Sequence, residues 1–276
     1  MNTEVQEKIR QALERFREQH PVQTMKIDGA WWEYLLTGEG EETLVFLHGM
    51  LGSVDVWWQQ ILALEGTYRI LAVTYPAVPT LEGLTEGVWR LMAYYGIEKA
   101  AVIGSSMGGY LAQYMLSRYS EKWTHVVLGN TFPPNDHIAR ETRWQRRLLP
   151  LLPEWLIKRQ MRRHIEEVIY PSSGYSETVR WVLLEQLQRM RKEDLLARYR
   201  CIIEPFSPPQ LGEQAPPVLI IESDNDPLIP PSLRNLLKST YPTAGVYTFH
   251  EAGHFPYLSH SDEYTRVLQR FLAGEI

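Results

Sequence analysis

Short apolar runs and amphipathic stretches alternate along most of the chain. "TMKID", "WWEYLL", "TLVFLH", "RILAVTY", "KAAVIG", "THVVLG", "PVLIIES" and "GVYTFH" are rich in Val, Ile, Leu and aromatic residues, and each reads as a strand. The later runs are almost continuously apolar, the pattern of strands covered on both faces. Between them, "VWWQQILAL", "LTEGVWRLMAYY", "MGGYLAQYMLSRY", "PPSLRNLLKST" and "SDEYTRVLQRFLAG" space their apolar residues at helical period. This alternation predicts an α/β fold with an eight-stranded, mostly parallel sheet flanked by helices.

Two segments depart from the alternation. In residues 1–20, Val5, Ile9, Leu13 and Phe16 share one helical face, Thr3 and Gln6 have capping-box spacing, and Pro21 ends the helix. That helix is expected to pack on the body of the protein. Residues 132–212, opened by "TFPPND" and closed by "EPFSPPQLGEQAPP", contain helix-like runs and no strand pattern. They read as a helical cap inserted after the sixth predicted strand, over the edge where open α/β sheets bind ligands. The core is then 1–131 together with 213–276.

Composition narrows the function. With a net charge of -5 the chain has no electrostatic case for nucleic acid, although "RETRWQRR" and "KRQMRRH" place a local basic excess in the inserted segment. Cys201 is the only cysteine, so no internal disulfide forms and a reducing compartment is expected. "MNTEVQEKIRQALERFREQH" has no apolar leader core, and no apolar run is long enough to span a membrane. The expectation is a cytoplasmic monomer or homodimer acting on a small molecule. The histidines lack metal-ligand spacing, and Gly104, Gly108 and Gly109 do not form a dinucleotide fingerprint, so neither metal nor cofactor is expected.

The candidate chemistry sits in "AAVIGSSMGGYLAQYM". Gly104, Ser106 and Gly108 form G-x-S-x-G between a predicted strand and helix. A nucleophile on such a turn occupies strained backbone, with no room for side chains two residues away. Centring the pattern on Ser105 would require glycine at Ile103 and Met107, so Ser106 is the candidate nucleophile. It needs a base and an orienting carboxylate. "IIESDNDPLIP" offers Asp224 and Asp226, and "HEAGHFPYL" offers His254, whereas His250 is expected to be a packed strand residue. "FLHGMLGS" supplies a His-Gly turn in which the Met50 N–H would join that of Met107 as an oxyanion hole, with His48 shaping the loop. Trp57, Trp58, Phe132, Trp144, Trp155 and Phe206 are candidates for an apolar, aromatic substrate pocket, and the substrate is expected to carry an apolar acyl group.

"HGMLGS", "GSSMGG", "DNDPLIP" and "GHFPYL" together resemble the α/β-hydrolase fold superfamily over nearly the whole chain. The resemblance implies Ser106 as nucleophile, His254 as base and Asp226 as the acid, with Asp224 as second choice. It implies a serine hydrolase of carboxylic esters or thioesters. C–C bond hydrolysis or cofactor-free perhydrolysis would use the same triad. The segment "YPAVPTLEGLTEG" lacks the Asp-x-x-Gly-x-Gly-x-Ser loop of many cap-bearing members. With "DVWWQQILAL" and "FPYL" it is similar to the maspardin-like subgroup, regarded as binding proteins with an incomplete catalytic set. This chain keeps the Ser, Asp and His, so the subgroup implies binding while the residues imply catalysis.

Overall fold

The computed structural model describes residues 3–141, 147–209, 211–212 and 214–276. Eight strands, β1 (Gln23–Ile27), β2 (Ala30–Thr37), β3 (Thr43–Leu47), β4 (Arg69–Thr74), β5 (Ala100–Ser105), β6 (Trp123–Gly129), β7 (Val218–Ser223) and β8 (Gly245–Phe249), form one sheet in the order β1-β2-β4-β3-β5-β6-β7-β8. β2 is antiparallel to both of its neighbours, and the remaining pairs are parallel. The β1–β2 hairpin turns on Asp28 and Gly29, both at positive φ, the backbone that an Asp-Gly turn supplies at least cost.

Four helices, α1 (Thr3–Gln19), α2 (Trp58–Leu64), α3 (Leu81–Tyr94) and α4 (Met107–Arg118), precede β6. Between β6 and β7 lie α5 (Asp136–Glu141), α6 (Glu154–His164), α7 (Glu177–Arg189) and α8 (Lys192–Cys201), with a π-helical turn at Ile165–Ile169. After β7 come α9 (Pro231–Thr240) and α10 (Ser261–Leu272). Among the described residues, no helix is long and apolar enough to cross a membrane.

β3, β5 and β7 are buried along their whole length, which explains their uninterrupted apolar sequence. Alternate residues serve opposite faces. Leu44, Phe46 and Ile103 face the layer of α1, α2 and α10. Val45, Leu47 and Val102 face that of α3, α4 and α9. Ile157, Ile165, Val179 and Leu183 of the inserted segment join the first cluster, so this segment is packed on the sheet layer rather than detached.

α1 is docked as expected. Leu13 and Phe16 are buried, and Gln6 Nε2 donates to Glu177 Oε2 of α7 at 2.9 Å. Arg17 donates to Asp55 Oδ2 at 2.6 and 2.9 Å and to Glu185 at 2.9 and 3.0 Å. Arg189 of α7 also reaches Asp55 Oδ2, at 3.1 Å. A charge cluster thus joins α1, the turn after β3 and α7.

Candidate active site

β5 ends at Ser105 and α4 begins at Met107, leaving Ser106 alone on the turn with φ 55 and ψ -118. That left-handed backbone is rarely occupied by a residue with a side chain and marks a position held by its surroundings. A Cβ on Gly104 would collide with the carbonyl of Gly108, and one on Gly108 with the carbonyl of Leu47. Both glycines are therefore steric requirements of the turn. The Ser106 N–H donates to Gly129 O at 2.8 Å, and Thr131 Oγ1 donates to Ser106 O at 2.7 Å. Neighbouring Ser105 is buried and hydrogen-bonded to the Tyr257 hydroxyl, a packing role.

Asp226 lies in the loop after β7 and His254 in the loop after β8. They meet in a buried pair, 7% and 1% exposed. His254 Nδ1 donates to Asp226 Oδ2 at 2.8 Å and approaches Oδ1 at 3.0 Å. A carboxylate only accepts, so Nδ1 carries the proton and Nε2 of neutral His254 is left as a base. The Leu228 and Ile229 N–H groups donate to Asp226 Oδ1 at 2.8 and 3.1 Å. Burial pushes the Asp226 carboxyl up, but His254, the Asn130 amide and the Leu228 N–H outweigh it, leaving its pKa below 3.8.

Asn130 escaped the sequence reading. Its Nδ2 donates to Asp226 Oδ2 at 2.9 Å, and its backbone sits at φ 41. Its flanking residues, Gly129 and Thr131, are the two that hold the Ser106 backbone. Three consecutive residues thereby connect the serine turn to the Asp–His pair. The sequence signal was slight: an Asn directly after an apolar strand, a residue type that tolerates positive φ.

Asp224 and His250 form a different pair. His250 Nδ1 bonds Asp224 Oδ2 at 2.7 Å, and the Asp224 Oδ1 accepts from the Glu251 N–H at 3.0 Å. His250 is exposed rather than packed, because β8 ends one residue earlier, at Phe249. The pair braces the turn that leads into the His254 loop.

The turn after β3 is equally constrained. His48 is fully buried, with Nδ1 donating to Gly49 O at 2.7 Å and Nε2 accepting from the Tyr75 N–H at 3.3 Å. Burial, and then Arg198, hold its pKa well below 6.5, so it is a neutral structural group. A Cβ on Gly49 would lie 3.2 Å from Ser106 Cβ, which places this turn against the serine. Among the described residues, no hydrogen bond occupies the N–H of Met50 or of Met107. Arg198 of α8, also absent from the sequence reading, is 4% exposed. Its Nη1 donates to Met50 O at 2.7 Å and Gly52 O at 3.1 Å, and its Nη2 to Tyr75 O at 3.3 Å.

The aromatic residues expected to wall a pocket do other things. Trp57 is core, stacked on Tyr257 at 4.3 Å, and Phe132 is buried against Tyr110 at 5.0 Å. Phe206 packs edge-on against Tyr110 and Tyr114, and Trp58 is half-buried against the first core cluster. Trp155 is 64% exposed, and Trp144 lies outside the described residues. A cavity of about 800 Å³ is instead bounded by α1, β2, the Leu51–Asp55 turn and α8, and its lining includes Arg17, Glu33, Asp55, Tyr75, Arg189 and Arg198. None of the five described aromatics lines it, nor does Ser106.

Residues 44–267 match the model of the Alpha/beta hydrolase family. Maspardin from Mus musculus is 26% identical over 232 residues, covering 82% of this chain and 73% of that protein. The 2-hydroxy-6-oxononadienedioate/2-hydroxy-6-oxononatrienedioate hydrolase of Paraburkholderia phymatum is 26% identical over 265 residues, covering 86% of this chain and 88% of that protein. The crystal structure of a hydrolase from Pseudomonas aeruginosa PA01 superposes with a TM-score of 0.76 at 19% identity, covering 91% of this chain and 98% of that one.

Proposed function

The chain belongs to the alpha/beta hydrolase family, and from that premise we propose that it is a serine hydrolase of carboxylic esters or thioesters, with Ser106, His254 and Asp226 as its triad. In this mechanism His254 Nε2 takes the Ser106 hydroxyl proton while Oγ attacks the substrate carbonyl. The tetrahedral oxyanion is met by the N–H groups of Met50 and Met107. Collapse transfers the proton from His254 to the departing alkoxide or thiolate and leaves an acyl group on Ser106. Water, deprotonated by the same imidazole, then releases the acid and restores the serine. Asp226 fixes the tautomer that exposes Nε2 and stabilises the imidazolium as it forms.

One observation carries this reading: a buried Asp226–His254 pair tied through Asn130 to the segment that holds Ser106 at positive φ. Burying two ionisable groups is expensive unless they are paired and hydrogen-bonded, and a purely structural contact here would be made as well by apolar side chains. Ester cleavage is chosen over the C–C bond reading because only the Ser, His and Asp roles enter it, with no further group required.

The test is labelling by a fluorophosphonate, which requires no knowledge of the natural substrate. Wild-type protein is expected to react at a single serine and a folded Ser106→Ala variant not at all. Absence of labelling in the wild type would reject catalysis and leave a maspardin-like binding role. In ester turnover, Ser106→Ala should lose activity by about a millionfold, the scale on which a triad serine acts.

A further inference from the structure

We propose that Arg198 is a positioning residue for the oxyanion turn, so that α8 must be seated on the core before the hydrolase is competent. This rests on the reading of Ser106 as nucleophile and adds a residue that none of its motifs contains.

Arg198 is buried, and among the described residues it has no salt-bridge partner. The carboxylate that acts on its charge, Asp194, is engaged by Arg191, at 2.8 and 3.0 Å. The guanidinium instead spends its Nη1 and Nη2 on three backbone carbonyls, those of Met50, Gly52 and Tyr75, and stands 5.9 Å over the Tyr75 ring. Among the described residues, no other side chain donates to these carbonyls. Two of them belong to the turn whose Met50 N–H is assigned to the oxyanion, and the third to the segment that meets His48.

The geometry explains why a cation is needed there. The turn is closed by the Gly52 N–H on Gly49 O at 3.1 Å, and a Cβ on Gly52 would collide with the His48 ring. Such a tight turn directs several carbonyl dipoles into one buried spot. Unmatched, they repel each other and lack donors, which disfavours this conformation of the turn. Arg198 is matched to that spot by its planar fork of donors, whereas a lysine ammonium is a point charge that satisfies fewer acceptors in fixed directions. The peptide that carries the Met50 N–H is held at its other end, Gly49 O, by His48 Nδ1 and the Gly52 N–H, and Arg198 fixes the next peptide through Met50 O, so the Met50 backbone is restrained from both sides.

The donor comes from a different part of the chain from the turn it holds. Arg198 lies 146 residues after Gly52, near the C-terminal end of the helix that closes the inserted segment. Withdrawal of α8 would remove all three hydrogen bonds at once. Seating of that helix and assembly of the oxyanion turn are therefore one event.

The experiment compares wild type, Arg198→Gln and Arg198→Lys by the rate of fluorophosphonate inactivation, by kcat and KM for a p-nitrophenyl ester, and by thermal unfolding. Inactivation and kcat should fall about ten- to a hundredfold in the Gln variant, approaching the loss of one oxyanion donor, with KM within about twofold. The Lys variant should recover part of that loss. Should the Gln variant not fold, the Lys variant alone carries the test, and it should still be slowed. A variant inactivated at the wild-type rate, or one whose KM rises while kcat holds, would overturn the role of Arg198 and leave the Ser106 reading intact. A wild type that does not react would overturn both.

Discussion

At the scale of single residues, the candidate site depends on groups whose roles are set by distant partners. Ser106 was legible because its constraint is local: Gly104 and Gly108 are within two residues and each is forced by a backbone collision. Asn130 was not, because its partner Asp226 is 96 residues away and nothing beside it in sequence marks it. It gives a sharp prediction. Asn130→Gly keeps the positive φ that alanine would strain, and it removes the amide whose short hydrogen bond goes to Asp226 and whose longer ones reach Ser223 Oγ at 3.3 Å and Gly253 O at 3.4 Å. The loss of one hydrogen bond to a buried charged group should cost about 1.5–3 kcal/mol of stability. Ester turnover should fall about tenfold or more through kcat, since the imidazole that it helps to orient acts in the transition state. Steady-state kinetics beside a denaturant melt would check both, and unchanged kcat would remove Asn130 from the machinery. Gly108→Ala acts differently. Its methyl meets the Leu47 backbone, which cannot yield as a side chain would, so overpacking should cost about 1–3 kcal/mol or prevent folding.

At the scale of elements, strand identity followed from composition, while the edges and uses of elements did not. The eight apolar runs correspond to the eight strands, most plainly β3, β5 and β7, because central parallel strands must be apolar on both faces. His250 was misread because β8 stops at Phe249, and one residue separates a packed side chain from an exposed one. The places of the aromatic residues were illegible for another reason. Trp and Phe serve cores and pockets equally well, and sequence spacing does not show which neighbours they meet. The charge cluster on Asp55 was likewise invisible, since Arg17 and Arg189 approach it from 38 residues before and 134 after. Asp55 is nearly buried and bound by both arginines, so Asp55→Asn would leave the two cations with Glu185 as their one remaining shared anion among the described residues. Removing one partner of such a cluster should cost about 3 kcal/mol. Leu13→Ala on α1 should cost a similar amount, about 2–5 kcal/mol, by opening a cavity under the helix. Chemical denaturation of the two variants measures whether α1 is integral to the fold. If Leu13→Ala proved neutral, α1 would be an accessory laid on the surface.

At the scale of the whole molecule, stability should decline on mild acidification, and the sign follows from two groups whose windows open at different pH. His48 has a folded pKa held well below its ordinary 6.5 by burial and by Arg198, so the unfolded chain binds a proton that the folded chain refuses. Its neutral form costs nothing above pH 6.5. Below that value stability falls by about 1.4 kcal/mol per pH unit until the folded pKa is reached. His125, half-buried, is shifted in the same direction by burial and adds to the decline. Asp226 has the opposite protonation logic. Its folded pKa lies below 3.8, so its contribution is complete above that value and is lost as pH falls through the folded pKa. The two declines therefore begin at different pH, the histidine's at 6.5 and the carboxylate's only below 3.8. Melting temperature measured from pH 8 to pH 3 should be flat with respect to these groups above 6.5 and fall steadily below it. His48→Asn removes one titrating ring while keeping an amide in reach of the Gly49 carbonyl, and it should flatten the decline that begins at 6.5 without altering the Asp226 step. A His48→Asn curve parallel to the wild type throughout would mean that the buried imidazole takes up its proton in the folded state, against the desolvation that the fold imposes on it.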